Sequence, residues 1–101
     1  MDTAQKIETI CDNLKILLQE KNKRYGDSAL DPLGVFANNP RMANPDIDSA
    51  EKGILTRIDD KLGRIRNSGA SLRENDVIDL MGYLVLLCAK KGWDEFRGMI
   101  D

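Results

Sequence analysis

The segment from Glu74 to Lys91 is apolar around most of the circumference that it would have as a helix. Its apolar residues are Val77, Ile78, Leu80, Met81, Tyr83, Leu84, Val85, Leu86, Leu87 and Cys88. A helix with so little polar surface is buried between other helices, either within its own domain or across a subunit interface. The chain is therefore expected to fold around this segment, and other helices must cover it.

A second helical pattern lies at the start of the chain. Its apolar residues recur with a period of 3.6 at Ile7, Ile10, Cys11, Leu14, Leu17 and Leu18. This period is typical of a helix that packs on one face. Asp2 or Thr3 is expected to cap its start, and the helix is expected to reach about Lys23 and to stop near Tyr25 and Gly26.

A third pattern begins at Asp48, which is followed three residues later by Glu51 in the arrangement of a capping box. Its apolar residues are Ile54, Leu55, Ile58, Leu62 and Ile65. Gly69 is expected to end this helix, because glycine readily adopts the left-handed conformation found just past helix ends.

Ser71 and Glu74 repeat the capping pattern, which predicts that Ser71 caps the helix that contains Glu74 to Lys91. Gly92 is expected to end that helix. After it, Trp93, Phe96 and Ile100 are spaced by three and four residues, so residues 93–100 are predicted to form a short fourth helix.

All three prolines fall between residues 25 and 48, where no helical period is visible, so this stretch is predicted to be a long loop. A chain of 101 residues with 42% hydrophobic content suits one helical domain over residues 1–101. The fold class predicted is all-α, as a compact four-helix antiparallel bundle that is oligomeric.

Composition excludes several classes of function. The formal net charge of −2 gives no positive field that would attract DNA or RNA, so no nucleic acid is expected as a partner. The absence of histidine excludes histidine-based nucleophilic or zinc catalysis. No apolar run is long enough to span a bilayer and no secretion signal is visible, so the protein is expected in the cytoplasm and not in a membrane.

Two pairs of acids lie on the second and third predicted helices: Asp59 with Asp60, and Asp76 with Asp79. Asp76 and Asp79 share one side of their helix, where two carboxylates could chelate one ion. Because Asp79 falls within a mostly apolar helix, it is expected to have an ion, a base or a subunit contact as partner. The alternative for Asp76 and Asp79 is that they complement the helix dipole at the start of their helix, which explains Asp79 less well because it falls later. The alternative for Asp59 and Asp60 is a solvated network with nearby bases. Those bases are Arg57, Lys61, Arg64 and Arg66.

Basic residues that would suit phosphate occur in two groups, one on the second helix and one at the end of the first. The latter group, Lys21 to Arg24, runs into a Tyr-Gly-Asp-Ser sequence that begins at Tyr25. Such a loop offers a stacking ring, close backbone approach and hydroxyl donors. A charged helix end followed by an ordinary turn explains the same residues equally well.

Three segments, KNKRYGDSALDPLGVF, ILTRIDDKLGRIRNS and ENDVIDLMGYLVLL, resemble the phage and prophage proteins called nucleotide modification associated domain proteins. The resemblance covers about residues 15–90. That family is distantly similar to the MazG-like nucleoside triphosphate pyrophosphohydrolases, which are all-helical and hold magnesium on the acids of two adjacent helices.

The resemblance implies a magnesium site and a nucleotide site. Magnesium would be held by Asp59 or Asp60 and by Asp76 and Asp79. Nucleotide contacts would come from Lys21, Arg24, Tyr25 and Lys61. This chain departs from the MazG-like pattern, in which EExxE on the first metal helix is followed by ExxD on the next. It has shorter side chains at these positions and one ligand fewer.

Two functions follow as expectations. The first is a phage-type, nucleotide-binding protein that uses magnesium to hydrolyse a nucleoside triphosphate to a monophosphate and pyrophosphate, in the host cytoplasm if a phage encodes it. The second is an oligomer that sequesters a nucleotide without turnover, as an anti-defence protein would. A purely structural helical dimer is a third alternative. The catalytic residues, the base and the sugar are not determined by the sequence.

Overall fold

The computed structural model describes residues 1–25 and 49–100, except the side chains of Tyr25 and Ser49. These residues form three α-helices: α1 (Thr3–Tyr25), α2 (Ser49–Asn67) and α3 (Glu74–Lys91). A single 3-10 turn follows at Arg97–Met99. Within the described ranges the protein is all-helical and has no strand, which confirms the predicted class. The predicted loop at 25–48 and the cap at Asp48 lie almost entirely outside the described residues.

The start of α1 follows the sequence closely. The backbone amide of Gln5 donates to Oδ1 of Asp2 at 2.8 Å, and the amide of Asp2 donates to Oε1 of Gln5 at 2.9 Å. Two amides that a helix start would leave without partners are thereby satisfied reciprocally. Asp2 is therefore the cap, and Thr3 is the first helical residue.

The start of α3 differs from the prediction. Its N-cap is Arg73, whose side chain makes no capping hydrogen bond. Ser71 was predicted to be this cap, but its amide donates to the carbonyl of Ser68 at 3.0 Å, within the connection from α2. Ser71 thus belongs to the chain reversal between α2 and α3, in which Gly69 has a φ of +59°. The helix consequently begins two residues later than its capping pattern indicated.

The predicted fourth helix is also wrong. Gly92 ends α3 in the left-handed conformation with a φ of +73°, as expected. The residues after it, however, form no helix except the 3-10 turn, and all of residues 93–100 are exposed. A helix this short has little stability of its own and depends on packing. Without a surface that buries Trp93 and Phe96, the spacing of these residues does not produce a helix.

Helices α2 and α3 pack side by side in opposite directions. Lys91, at the end of α3, lies 2.8 Å from Oε1 of Glu51 near the start of α2. At the other end of the pair, Lys61 of α2 meets Asp76 of α3. Ile54 and Ala50 are the buried apolar side chains of this pair, with 2% and 4% exposure. The buried apolar side chains of the described ranges are therefore few, and both lie on α2.

Among the described helices, α1 packs only against α3. A Cβ atom added at Gly82 of α3 would lie 2.9 Å from Cδ2 of Leu18, so glycine permits this approach. One turn away, Lys21 lies 3.7 Å from Asp79. These two pairs show that α1 and α3 run antiparallel. No helix in the described ranges is long and apolar enough to cross a membrane.

Candidate functional site

Lys61 lies between the two acids of α3. Its Nζ atom is 3.0 Å from Oδ2 of Asp79 and 3.5 Å from Oδ1 of Asp76. The side chains of Lys61 and Asp76 are 12% and 9% exposed, whereas that of Asp79 is 29% exposed. From α1, Lys21 reaches the other carboxylate oxygen of Asp79 at 3.7 Å. We call these four residues the lysine–aspartate cluster.

This cluster explains how an acid is accommodated within an otherwise apolar helix. Asp79 was expected to have an ion, a base or a subunit contact, and the structure provides two bases, Lys61 and Lys21. Asp76 and Asp79 do lie on one side of α3, because residues three apart in a helix are neighbours. The cation between them in this structure is the ammonium group of Lys61.

The cluster raises the pKa of Lys61 above its ordinary value of 10.5, and the hydrogen bond to Asp79 is the largest cause. Partial burial and the positive charge of Arg64 oppose this increase, because both disfavour an ammonium group. The attraction to Asp79 and the hydrogen bond to Asp76 add to it. Lys61 is therefore protonated at neutral pH and neutralises the acids beside it.

The raised pKa predicts how stability depends on alkaline pH. A lysine whose pKa is higher in the folded protein than in the unfolded chain stabilises the folded state. This stabilisation is complete at pH values below the pKa of the unfolded chain, and it is lost as pH rises through the pKa of the folded protein. Above about pH 10.5, we therefore expect the free energy of unfolding to fall more steeply for the native protein than for Lys61→Met. Urea unfolding between pH 8 and pH 11.5 measures the two slopes. Lys15→Met, at an exposed position, is expected to keep the native slope; equal slopes for Lys61→Met and native protein would contradict the prediction.

A wide groove of about 920 Å³ opens where α2 ends and α3 begins. Acidic and arginine side chains line it in equal number: Asp59, Asp60, Asp76, Arg64, Arg66 and Arg73. Ser68 and Ser71 add hydroxyl groups. We call this the arginine–aspartate groove. Asp76 belongs both to the groove and to the lysine–aspartate cluster, so the two features adjoin.

The arginines of the groove differ in what they contact. Nε of Arg64 lies 3.3 Å from Oδ2 of Asp60, one helical turn away on the exposed side of α2. Arg66 and Arg73 form no ion pair with any residue in the described ranges. A guanidinium group offers donors in a planar fork that matches phosphate oxygens. These two arginines are therefore available to an anionic ligand.

The four acids that the resemblance assigned to magnesium do not form one cluster. Asp60 is engaged by Arg64, and Asp79 is engaged by Lys61 and Lys21 on the far side of Asp76. Across residues 1–25 and 49–100, no three acidic or cysteine side chains are placed to hold a metal ion together. Magnesium is often bound by only one or two carboxylates together with substrate phosphates, however. Asp59 and Asp76 both line the groove, and Asp76 is paired with Lys61.

The residues assigned to nucleotide contacts are found in different places. Lys21 and Lys61 converge on Asp79. Arg24 lies on the exposed surface of α1, where Nε is 3.4 Å from Glu20. Tyr25 is the last residue of α1, and its side chain, like the Gly-Asp-Ser sequence after it, lies outside the described residues. Of the four assigned residues, Lys61 contacts a residue that lines the groove, Asp76, whereas Lys21 contacts Asp79, which does not line it.

Sequence reasoning missed the connection between α2 and α3. Ser68, Ser71 and Arg73 contribute to the groove, but the capping pattern at Ser71 was read only as a helix start. The signal available was a short polar connection that is flanked by arginines on both sides. Of the two hydroxyl groups between Arg66 and Arg73, that of Ser68 donates to the carbonyl of Ile65 at 2.8 Å, so Ser71 is the one that suits an anion as well as a cap.

No known protein-family model, curated protein or solved structure matches this chain. The resemblance to nucleotide modification associated domain proteins and to MazG-like enzymes therefore remains a prediction from the sequence.

Proposed function

We propose that this protein binds a nucleoside polyphosphate in the arginine–aspartate groove and hydrolyses it, with magnesium, to a monophosphate and pyrophosphate. The observation that carries the proposal is that Arg66 and Arg73, which have no ion-pair partner in the described ranges, line the same groove as Asp59 and Asp76. Arginine forks bind phosphate, and carboxylates bind the magnesium ion that accompanies polyphosphates.

In this proposal the arginines orient the phosphate chain, and the hydroxyl groups of Ser68 and Ser71 border it. Asp59 and Asp76 would hold the magnesium ion, with Asp60 and Asp79 next to them. The ion would neutralise phosphate charge and acidify a bound water. Positive side chains held beside the phosphates would stabilise the negative charge that develops during hydrolysis.

Lys61 links the cluster to the groove in this proposal. It neutralises Asp76 and Asp79 in the ligand-free protein. A magnesium ion at Asp76 would compete with the ammonium group, since both are attracted to the same carboxylate. Lys61 would then be free to contact the phosphates, and Lys21 would keep its ion pair with Asp79. Lys21, Lys61, Arg24 and Tyr25 remain the residues proposed for nucleotide contacts.

A panel of ribo- and deoxynucleoside triphosphates, incubated with magnesium and purified protein, tests the proposal. We expect pyrophosphate from at least one of them, and a loss of at least about tenfold in rate for Arg73→Met, because an ionic hydrogen bond to phosphate contributes about 1.5–3 kcal/mol. Arg97→Met is the matched control, since Arg97 pairs with Glu95 in the C-terminal turn, outside the groove. Absence of pyrophosphate with every nucleotide would rule out hydrolysis.

A second candidate is sequestration of a nucleotide without turnover, as an anti-defence protein would do. The lysine–aspartate cluster favours it, because Lys61 already satisfies two of the acids that a catalytic metal would need. The test is to saturate the protein with a nucleotide that raises its melting temperature, denature it, and analyse the released ligand. Recovery of the unaltered nucleotide after prolonged incubation with magnesium supports sequestration, whereas magnesium-dependent consumption supports hydrolysis.

The wider context belongs to the same proposal. It comprises a MazG-like bundle architecture, a homo-oligomeric state, a phage or prophage origin and a cytoplasmic location. The three helices in the described ranges are compatible with a bundle but form only part of a four-helix one. A crystal structure with magnesium and a bound nucleotide analogue would test the architecture and the ligand set together.

A further inference from the structure

Helix α1 is attached to the rest of the described structure over a small area. Leu14, Leu17 and Leu18 are half-buried, and every other described side chain of this helix is exposed. Its neighbour among the described helices is α3 alone, whereas α2 and α3 pack along each other. An element with few buried apolar contacts has low local stability and opens before the rest of a protein unfolds. Release from its neighbour therefore costs less for α1 than for α2 or α3.

An apolar contact and an ion pair connect α1 to α3, one helical turn apart. Leu18 makes the apolar contact, at the position where Gly82 allows close approach. Lys21 makes the ion pair, with its Nζ atom 3.7 Å from Oδ1 of Asp79. An exposed ion pair of this kind changes an equilibrium constant by about 2- to 5-fold. Because the apolar contact is small, the ion pair is a substantial part of what holds α1 in place.

The ion pair of α1 is linked to α2 through its acid. Oδ2 of Asp79 lies 3.0 Å from Nζ of Lys61, which also lies 3.5 Å from Asp76. Lys21 is therefore attracted to a site where one ammonium group partly neutralises two carboxylates. The net charge of this site is −1 with Lys61 in place and −2 without it. Coulombic attraction increases with that charge, so α1 is held more strongly when Lys61 leaves.

We propose that α1 is a clamp whose docking on α3 is controlled by Lys61. The clamp is loose while Lys61 neutralises Asp79, and it tightens when Lys61 is drawn away. The clamp itself depends only on the lysine–aspartate cluster. Its trigger rests on the proposed function, because a magnesium polyphosphate in the arginine–aspartate groove keeps a net negative charge that attracts Lys61. Binding in the groove would then fix a helix that does not line it.

Amide hydrogen exchange, measured by NMR at neutral pH in a chelator, tests the clamp. Helices in proteins owe most of their stability to tertiary packing, so amides around Leu18 exchange when α1 is released. Lys21→Met is expected to raise their exchange rates about 2- to 5-fold. Lys61→Met is expected to lower them by a similar factor, although it weakens the contact between α2 and α3. Lys15→Met is the matched control, since Lys15 is exposed on the same helix and its replacement should leave the rates unchanged.

The double variant Lys21→Met/Lys61→Met separates the clamp from other effects of the substitutions. Without Lys21, the charge at Asp79 no longer acts on α1, so the added Lys61→Met change should not slow exchange. Leu18→Ala calibrates the measurement, because loss of the apolar contact should raise the exchange rates of α1 in any case.

Magnesium tripolyphosphate tests the trigger in the native protein, so this measurement is valid even if Lys61→Met does not fold. It is expected to slow exchange in α1 about 2- to 5-fold, and to leave α1 unchanged in Lys21→Met. Rates that fall neither in Lys61→Met nor with tripolyphosphate, or that do not rise in Lys21→Met, would overturn the clamp. If Lys61→Met slows exchange but tripolyphosphate does not, the clamp is retained and its link to the groove is overturned. Pyrophosphate release is measured separately, so failure of the clamp and failure of hydrolysis are distinguishable.

Discussion

Replacing Lys61 by methionine is expected to lower the free energy of unfolding by about 2–3 kcal/mol. Removal of one partner from a fully buried ion pair costs about 3–5 kcal/mol, because the remaining charge stays buried without compensation. The lysine–aspartate cluster lies nearer the surface than that, with Asp79 29% exposed, and water reduces the cost. Methionine keeps most of the apolar length of lysine, so the loss reports the ammonium group and not the packing.

Urea unfolding at pH 7 followed by circular dichroism measures this difference. Arg64→Met is the matched control, since Arg64 belongs to the same helix and pairs with Asp60 at the exposed surface. An exposed pair one helical turn apart contributes about 0.3–0.5 kcal/mol. In Lys61→Met, millimolar magnesium is expected to restore part of the loss by supplying a cation to Asp76 and Asp79. A loss no larger than that of Arg64→Met would show that the cluster contributes little to stability.

Ile54→Ala is expected to cost about 3 kcal/mol of unfolding free energy. Ile54 is the one large side chain in the described ranges with 2% exposure or less, and it lies on α2, which packs against α3. Truncation of a buried isoleucine to alanine removes apolar contacts and leaves a cavity, which together cost about 2–5 kcal/mol. Among the described residues few other apolar side chains are buried, so few contacts there can compensate.

Thermal and urea unfolding of Ile54→Ala measure this cost. Leu62→Ala provides the comparison within the same helix, because Leu62 is 51% exposed and its truncation is expected to cost less than about 1 kcal/mol. A similar cost for both variants would show that the interior of the folded protein lies elsewhere than between α2 and α3.

The elements set by local signals were predictable from the sequence. The reciprocal hydrogen bonds of Asp2 and Gln5 and the left-handed Gly92 depend on residues within a few positions of each other. Ser71 shows the limit of the same reasoning. The capping pattern of Ser71 to Glu74 indicates that a helix can begin after Ser71. These four residues carry no information about the preceding turn at Gly69, in which the amide of Ser71 donates to the carbonyl of Ser68.

The partner of the two acids could not be predicted for a related reason. A helical wheel places Asp76 and Asp79 on one side of α3, but it does not tell which residue of another helix faces them. Lys61 was assigned to a local network or to phosphate, and it lies 15 residues from Asp76 in the sequence. The stripe of α1 is similar: Ile7 and Leu18 have the same pattern in the sequence, although only Leu18 meets α3. The partner of Asp76 and Asp79 and the extent to which α1 is covered both depend on tertiary packing.

The arginine–aspartate groove contains equal numbers of acids and arginines, and this balance of charge affects whether a ligand binds better as a free anion or as a complex with a metal ion. The lining is close to electroneutral, so a bare triphosphate would bring several negative charges that the groove does not balance. A ligand already complexed with a divalent ion carries about half that excess. If a nucleotide binds there as proposed, we expect its metal salt to bind better than the free anion, and melting temperatures of the protein with nucleotide, in magnesium or in a chelator, will separate the two species.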